Sequence, residues 1–473
     1  MRLSGLWNTG RACLAAILAL TVASAVTQPA IAHADPFVGA AGLGDPYYPD
    51  DGNGGYDVGH YDVSIDYDPS SHELRGRTRI DATATQALRA FNLDYAGPEV
   101  AMVSVNNLPA GFDRNGEHEL TVTPLAPPLP GLPFTVTVDY AGVAENRPGE
   151  GWTYADSGGA FVAGEPHSAT SWYPLNDTPL DKATFTLHAT VPADWDVVSN
   201  GLRTADTVAG DRRTVSWESR RPSLGYLTTV AIDRFEYLEQ RRADGTPLLS
   251  AFAPAATHNR EDEERLPEIL DFAEALYGPY PFEAAGGIYV DADIDFSLET
   301  QTRPIYAPWT DLQTVVHEIA HQWWGDSVSI RAWPDICLNE CFASYTADYL
   351  WPERMEGVDV DAVYRETIAE RRDNERFWLI PLANPGPGQE FSSVYYRGPL
   401  FLHALRAQLG DAVFFGALRE FIAAHSYDNA SMADLRAFVQ KKTTTDLTGF
   451  FHAWLDSETV PPEEYLFPGA LRG

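Results

Sequence analysis

The sequence predicts a multidomain α+β protein in which an N-terminal antiparallel β domain precedes a mainly helical domain. From residue 61 to about residue 239, apolar and polar residues alternate with a period of two, as in the run 134–140. Turn residues such as asparagine, glycine and proline separate these short runs, which is typical of antiparallel sheets. After Pro254 the apolar period becomes helical. Later helical runs are predicted near 358–373, 397–409, 411–425, 431–441 and 446–456. We place the predicted boundaries at 1–34, a signal peptide, 35–249, the β domain, and 250–473, the helical domain.

The first 34 residues have the pattern of a secretory signal peptide. Arg2 and Arg11 precede the apolar run 12–25, which is too short for a comfortable membrane span, and an Ala-x-Ala cleavage signal lies at 32–34. An uncleaved membrane anchor is the alternative. Since no later run reaches eighteen apolar residues, we expect a secreted, extracellular protein without a membrane span after signal cleavage.

The composition is strongly acidic. The formal net charge is −34 at pH 7, and removal of residues 1–34 takes away two positive charges and no negative one, which gives −36. Such a chain is a poor candidate for binding nucleic acid or anionic membranes. The segment 45–59 is rich in Asp, Gly, Tyr and Pro and predicts a surface loop, since its acids match no calcium-binding spacing.

The most informative stretch, 312–343, contains a His-Glu-x-x-His motif that is followed by eighteen residues and then Glu340. Histidines four positions apart share one helix face, so His317 and His321 can reach one metal ion, with Glu318 placed to act on a water beside it. With Glu340 as third ligand, one tetrahedral position of a zinc ion stays open, as in catalytic sites. A surface helix with two solvated histidines is the alternative. The apolar residues around the pair argue against it, because buried histidines beside a buried glutamate need partners.

These residues resemble the active site of the aminopeptidase N family of zinc metallopeptidases, the gluzincin aminopeptidases. Three further patches are similar to motifs of that family. Glu299 lies in the patch 296–301, where the family has Gly-x-Met-Glu-Asn, and Tyr395 begins a patch similar to the family's Tyr-x-Lys-Gly. Glu165 begins a segment similar to the part of the N-terminal domain that reaches into the active site.

The resemblance implies that 250–473 is a thermolysin-like catalytic domain, without the large C-terminal helical domain of longer relatives. It implies a zinc-dependent aminopeptidase that hydrolyses the N-terminal bond of peptides with a free N-terminus. One catalytic zinc ion would be bound by His317, His321 and Glu340, with Glu318 as general base.

The resemblance also implies roles for three side chains outside the motif. Tyr395 would donate a hydrogen bond to the developing oxyanion, and its neighbour Tyr396 is the alternative donor. Glu299 and Glu165 would bind the free α-amine of the substrate. The chain departs from the family pattern at Ala163 and Thr300, and these departures concern substrate preference rather than the chemistry.

Two other functions stay open from the sequence alone. One is a zinc endopeptidase of the wider gluzincin group, against which the position of Glu340, Glu299 and Tyr395 argues. The other is a catalytically silent peptide-binding protein on the same fold, against which the intact Glu318 argues.

Cys337 and Cys341 flank the third predicted ligand. In an exported protein, this spacing favours a disulfide that braces the segment around Glu340, and two buried free thiols are the alternative. Zinc-ligating histidines also need hydrogen-bond partners of their own. The candidates near in sequence, between which the sequence does not decide, are Asp326, Asp335, Ser344 and Asp348.

Overall fold

The computed structural model describes residues 37–472 apart from the side chain of His258. The signal peptide predicted at 1–34 lies outside the described residues and stays a prediction. Within the described part, none of the helices combines the length and the apolar character that crossing a membrane requires.

The strands occupy mainly the first part of the described chain, as the period of two predicts. In β1, for example, Tyr61, Val63 and Ile65 are buried while the residues between them are more exposed. In chain order, the strands of residues 37–472 are β1 (Tyr56–Asp68), β2 (Glu73–Ala84), β3 (Phe91–Asp94), β4 (Glu99–Val105), β5 (Leu108–Pro109), β6 (Gly111–Asn115), β7 (Glu119–Thr123), β8 (Pro133–Val143), β9 (Glu150–Tyr154), β10 (Ala160–Gly164), β11 (Ala183–Pro192), β12 (Asp196–Ser199), β13 (Leu202–Ala209), β14 (Arg212–Ser223), β15 (Val230–Asp233), β16 (Glu236–Arg241), β17 (Pro247–Phe252), β18 (Ile288–Tyr289), β19 (Ile305–Tyr306), β20 (Val328–Ile330) and β21 (Asp428–Ala430).

Three sheets form the N-terminal domain. The largest has the strand order β13-β14-β11-β1-β2-β8-β4-β5, and the other two have the orders β12-β15-β10-β9 and β3-β7-β6. All paired neighbours run antiparallel except β1 and β11, which are parallel from His60–Thr184 to Asp66–Thr190. A parallel pair needs a long crossover, and the chain between these two strands holds β2 to β10.

A fourth sheet, β16-β17-β18-β19, belongs to the second part of the chain. Its strands β17, β18 and β19 are parallel neighbours. The boundary that the sequence placed between residues 249 and 250 falls inside β17, and the sheet that contains this strand begins at Glu236. The alternation of apolar and polar residues therefore continues past the N-terminal domain, because the second part of the chain begins with strands.

The rest of the second part is mainly helical, apart from the two-stranded sheet β20-β21. Three of its helices, which are numbered α3, α4 and α7 below, carry predicted site residues. In chain order, the α-helices of the described residues are α1 (Arg260–Glu263), α2 (Leu266–Tyr277), α3 (Leu312–His321), α4 (Cys337–Tyr345), α5 (Val360–Arg371), α6 (Glu375–Trp378), α7 (Val394–Leu409), α8 (Asp411–His425), α9 (Met432–Gln440), α10 (Thr448–Phe451) and α11 (Glu463–Leu466), and the π-helical segments are Thr346–Leu350, Pro352–Glu356 and His452–Asp456.

Candidate active site

Helix α3 presents His317, Glu318 and His321. The helix starts at its cap, where the side chain of Asp311 accepts a hydrogen bond from the backbone N–H of Thr314 at 2.9 Å. Such a cap satisfies one of the free N–H groups of the first turn. Because His317 and His321 are one turn apart, their rings lie on one face, with centroids 4.8 Å apart.

Helix α4 brings Glu340 to the same place. The rings of Trp324, just after α3, and Phe342 on α4 stack with centroids 3.9 Å apart, which fixes the two segments against each other. The predicted disulfide is present and joins Cys337 to Cys341, so it spans the turn of α4 that contains Glu340.

Helix α7 supplies Tyr395 and packs closely on α4. Gly398 faces the disulfide: a Cβ placed on this glycine would lie 2.6 Å from Sγ of Cys341 and 2.8 Å from its Cα. Only a residue without a side chain permits this approach, so Gly398 sets the distance between the helix of Tyr395 and the helix of Glu340.

The three predicted ligands converge on one point. Nε2 of His317 lies 3.0 Å from Nε2 of His321, and Oε2 of Glu340 lies 3.3 Å and 3.5 Å from these two atoms. Among residues 37–472, this buried Oε2 has no hydrogen-bond partner. Two imidazole nitrogens and a carboxylate that face one another so closely need a shared cation, and this donor set fits zinc.

The electrostatics of the donor set also require positive charge. Burial opposes ionisation of Glu340, yet the neighbouring His321 and His317 lower the pKa of its carboxyl to about 2. Burial likewise opposes the charged form of His321, and the carboxyls of Glu340 and Glu299 outweigh it, so the pKa of this imidazole is raised. Glu340 is therefore held as a carboxylate ready to bind a cation.

The orientation of His321 is fixed by the main chain. Its Nδ1 lies 2.9 Å from the carbonyl oxygen of Trp324, which can only accept, so Nδ1 carries the proton and Nε2 keeps its lone pair for a metal. The four partners predicted for the histidines are all side chains, whereas the observed partner of His321 is a backbone carbonyl group. One of the four, Asp335, instead accepts from the backbone N–H of Met432 at the start of α9.

Glu318 projects from α3 beside the ligands and is almost fully buried. Burial is the main reason that the pKa of its carboxyl is raised to about 7, with the histidines acting in the opposite direction. A carboxyl with such a pKa exchanges protons readily at neutral pH, as a general base must.

Glu299 and Glu165 also lie beside the predicted ligands. The carboxylates of Glu165, Glu299 and Glu340 have oxygens within 4.8 Å of one another, and Glu165 reaches the site from the loop that follows β10. Burial and then the neighbouring carboxyl of Glu299 raise the pKa of Glu165. The structure therefore places these two carboxyls directly beside the predicted metal ligands, and no lysine or arginine of residues 37–472 forms a salt bridge with either of them.

Two residues that sequence reasoning missed hold Glu299. The hydroxyl of Tyr226 donates to Oε1 of Glu299 at 3.1 Å. The amide of Gln322 donates to the carbonyl oxygen of Glu299 at 3.2 Å and accepts from the backbone N–H of Thr302 at 2.8 Å. Gln322 could have been predicted, because it directly follows His321 in the sequence. Nothing in the local sequence distinguishes Tyr226 from the other tyrosines.

Tyr395 rather than Tyr396 faces the predicted ligands. The ring centroid of Tyr395 lies 6.1 Å from that of His317, and Tyr396 is 69% exposed. Burial, followed by the surrounding carboxyls, raises the pKa of Tyr395, so its hydroxyl stays protonated and can donate. All seven residues predicted for catalysis, metal binding and substrate binding line a single cavity of about 830 Å³: Glu165, Glu299, His317, Glu318, His321, Glu340 and Tyr395.

The fold and the arrangement of the site residues are typical of a zinc metallopeptidase. Comparison with known proteins supports this class. The family model of the peptidase M1 domain matches residues 298–454, and that of the peptidase M1 N-terminal domain matches residues 58–227. The chain belongs to peptidase family M1. The aminopeptidase N resemblance inferred from the motifs is thereby confirmed.

Solved structures of similar proteins share both parts of the fold. The M1 zinc metallopeptidase from Deinococcus radiodurans has a TM-score of 0.80 and 28% sequence identity, over 89% of this chain and 98% of that chain. A two-domain M1 zinc metallopeptidase variant bound to L-tryptophan has a TM-score of 0.81 and 27% identity, over 89% and 99% of the two chains. The predicted order of a β domain and a helical catalytic domain is therefore confirmed.

The relatives found by sequence comparison share less sequence identity with this chain than these structures do, and they are longer than this chain. Aminopeptidase M1 of Arabidopsis thaliana is 24% identical over 449 residues, which cover 85% of this chain and 50% of the relative. Endoplasmic reticulum aminopeptidase 1 of Homo sapiens is 26% identical over 431 residues, which cover 80% and 44%. The chain thus spans about half the length of the curated relatives it matches.

Proposed function

We propose that this chain is a zinc-dependent aminopeptidase that hydrolyses the N-terminal bond of peptides with a free N-terminus. The observation that carries the proposal is the pair of carboxyls, Glu165 and Glu299, within 4.8 Å of each other and of the metal ligand Glu340. A protonated α-amine is the cation that such a pair lacks, and charge-assisted hydrogen bonds to it are strong.

His317, His321 and Glu340 would hold the zinc ion. When bound, zinc supplies a water of lowered pKa and polarises the carbonyl of the scissile bond. The proton on Nδ1 of His321, held by the carbonyl of Trp324, keeps Nε2 available as a ligand. The chain thus contributes a preformed set of ligands rather than one that must assemble.

Two side chains move or hold protons during the reaction. Glu318 takes a proton from the attacking water and delivers it to the leaving amine, which its pKa of about 7 permits in both directions. Tyr395 keeps its proton because burial and the neighbouring carboxyls raise its pKa, so it donates a hydrogen bond to the developing oxyanion.

Glu165 and Glu299 select the bond that is cleaved. They anchor the α-amine next to the metal ligands, so the first peptide bond lies closest to Glu318 and Tyr395. Tyr226 orients Glu299 through its hydrogen bond to Oε1. Two-domain M1 zinc metallopeptidase variants have been solved with bound L-tryptophan and L-arginine, and a variant from Deinococcus radiodurans with a bound Tyr-Ser-Ala substrate. These structures support binding of free α-amines in such a site.

A panel of aminoacyl arylamides, assayed with and without a chelator, tests the proposal. We expect hydrolysis that the chelator abolishes and added zinc restores. Glu318→Gln should remove the activity while zinc stays bound. A wild-type protein that binds zinc and hydrolyses none of the panel would favour the silent binding protein, and cleavage inside N-blocked peptides would favour the endopeptidase.

We further propose that the protein is exported and that cleavage leaves Asp35 as the first residue. The signal-like pattern of residues 1–34 and a disulfide in the catalytic part support export, since such bonds persist in oxidising compartments. The N-terminal sequence of the protein from the culture medium tests it. Recovery of the protein only inside cells with its first residues intact would contradict export.

A further inference from the structure

A second group of metal-ligating side chains lies in the N-terminal domain, on the three-stranded sheet β3-β7-β6. Ligand atoms of Asp94, His118 and Glu119 lie within 4.8 Å of one another. Asp94 ends β3 and pairs directly with Glu119, the first residue of β7. Two like charges directly opposite each other on neighbouring strands are destabilising unless a positive charge lies between them.

The hydrogen bonds of Asp94 leave one of its oxygens available. Its Oδ2 accepts from the side-chain amide of Asn53 at 3.0 Å and from the backbone N–H of Asp177 at 2.7 Å. Within residues 37–472, Oδ1 has no hydrogen-bond partner, although the side chain is only 1% exposed. A buried carboxylate oxygen without a partner is costly, so this atom points to a ligand.

His118 and Glu119 face the same space. Nε2 of His118 lies 3.9 Å from Oδ1 of Asp94, beyond hydrogen-bond distance, and 3.4 Å from the carbonyl oxygen of Asp50. Both carboxylate oxygens of Glu119 are buried and have no hydrogen-bond partner in the described part of the chain. The cluster therefore contains three buried carboxylate oxygens without partners and one imidazole nitrogen.

The surroundings add negative charge. After burial, the strongest influences on Asp94 include the carboxyls of Asp177, Glu119 and Asp51, and they raise its pKa. Burial in the first place also raises the pKa of Glu119 to about 7, and that of Asp51 to about 8. Burial and the repulsion between neighbouring carboxyls thus disfavour three carboxylates at this place, and a bound cation would relieve that repulsion.

We propose that Asp94, His118 and Glu119 bind a divalent transition-metal ion of the zinc class, separate from the catalytic ion. One imidazole and two carboxylates form a mixed nitrogen and oxygen set, which suits zinc better than calcium or magnesium. The ion would join β3 to the β6–β7 hairpin. To bind it, Nε2 of His118 would give up its 3.4 Å contact with the carbonyl oxygen of Asp50, which lies beside the proposed ion.

The proposed ion would have a structural role, because it lies beside the segment 45–50. Nearby on this segment, the hydroxyl of Tyr48 donates to Glu390 at 3.0 Å, and Asp45 accepts from the backbone N–H of Trp333 at 2.9 Å. The segment thus runs from the proposed ion to the catalytic part of the chain. We expect the ion to stabilise the folded protein and to leave the chemical step unchanged.

Metal content of the mature protein tests the proposal. After incubation with zinc and dialysis, we expect the wild type to hold one equivalent more than the catalytic site accounts for. Glu119→Gln should lose this additional equivalent, keep the catalytic one and keep wild-type kcat. Glu117→Gln changes an exposed neighbour of the same charge and should retain both equivalents.

His118→Ala is a second variant, on a partly exposed hairpin residue whose replacement the fold should tolerate. It should also lose the additional equivalent, and zinc should raise the Tm of the wild type more than that of this variant. A wild type that holds only the catalytic equivalent overturns the proposal. So does retention of the additional equivalent in both Glu119→Gln and His118→Ala.

Discussion

The contact between α7 and α4 gives a prediction whose magnitude follows from the structure. In Gly398→Ala, the new Cβ would lie 2.6 Å from Sγ, 2.7 Å from Cβ and 2.8 Å from Cα of Cys341. Favourable carbon contacts begin at about 3.5 Å, the sulfur is held in a disulfide, and Cα is backbone. Relief therefore requires α7 to move away from α4 by about 1 Å.

This displacement should affect both stability and activity. Overpacking of a buried contact costs about 1–3 kcal/mol. Since α7 carries Tyr395, its displacement also moves the hydroxyl that serves the oxyanion, and a shift of about 1 Å can lower the rate by about 100-fold. We expect Gly398→Ala to lower the Tm and to lower kcat by about 10- to 100-fold, with zinc still bound.

Gly416→Ala is the matched control. Gly416 lies in α8, and no heavy atom of the described residues other than those of its own chain neighbours and helix lies within 4 Å of an added Cβ. Alanine favours a helix over glycine by about 1 kcal/mol, so this variant should be at least as stable as the wild type and fully active. The Tm from thermal unfolding and kcat on an aminoacyl arylamide are to be measured for both variants. Wild-type Tm and kcat in Gly398→Ala, or equal losses in both variants, would refute the reasoning.

Three further predictions concern the catalytic side chains. Tyr395→Phe should lower kcat by about 10²- to 10³-fold with little change in KM or zinc content, and steady-state kinetics showing a KM effect alone would contradict its role. Glu299→Gln should raise KM for free-amine substrates because an anionic anchor is lost, whereas Tyr226→Phe should raise it less; unchanged KM in Glu299→Gln would remove Glu299 from substrate binding. Burial raises the pKa of Glu318 to about 7 and the base acts ionised, so kcat/KM should fall as the pH drops through neutrality, and a profile without an acid limb would be contrary to this assignment.

Much of the fold was predictable because local patterns determine it. The helical run predicted at 411–425 coincides with α8, whose apolar residues repeat with a helical period. Helix α7 begins three residues before the predicted run, and its first turn has no side-chain cap hydrogen bond from Ser393. The parallel pairing of β1 and β11 could not be predicted, since alternation is the same for parallel and antiparallel neighbours.

The site was predictable where helical spacing or family motifs carry it. The spacing of His317 and His321 requires that both face one point, and the structure brings Glu340 there. The hydrogen bonds that orient Glu299 and His321 come from Tyr226 and from the backbone of Trp324, which no motif contains. A main-chain carbonyl has no residue type that a sequence could reveal, and a contact between distant segments depends on the fold.

The most direct test compares one peptide with a free N-terminus to the same peptide acetylated at that amine. Acetylation removes the cation that Glu165 and Glu299 would bind, and each charge-assisted hydrogen bond contributes about 1.5–3 kcal/mol. We expect residues to be released from the free peptide one at a time from its N-terminus, and kcat/KM for the acetylated peptide to be lower by about 100-fold or more. Equal cleavage of both peptides, or cleavage at internal bonds, would contradict the assignment of this site to N-terminal hydrolysis.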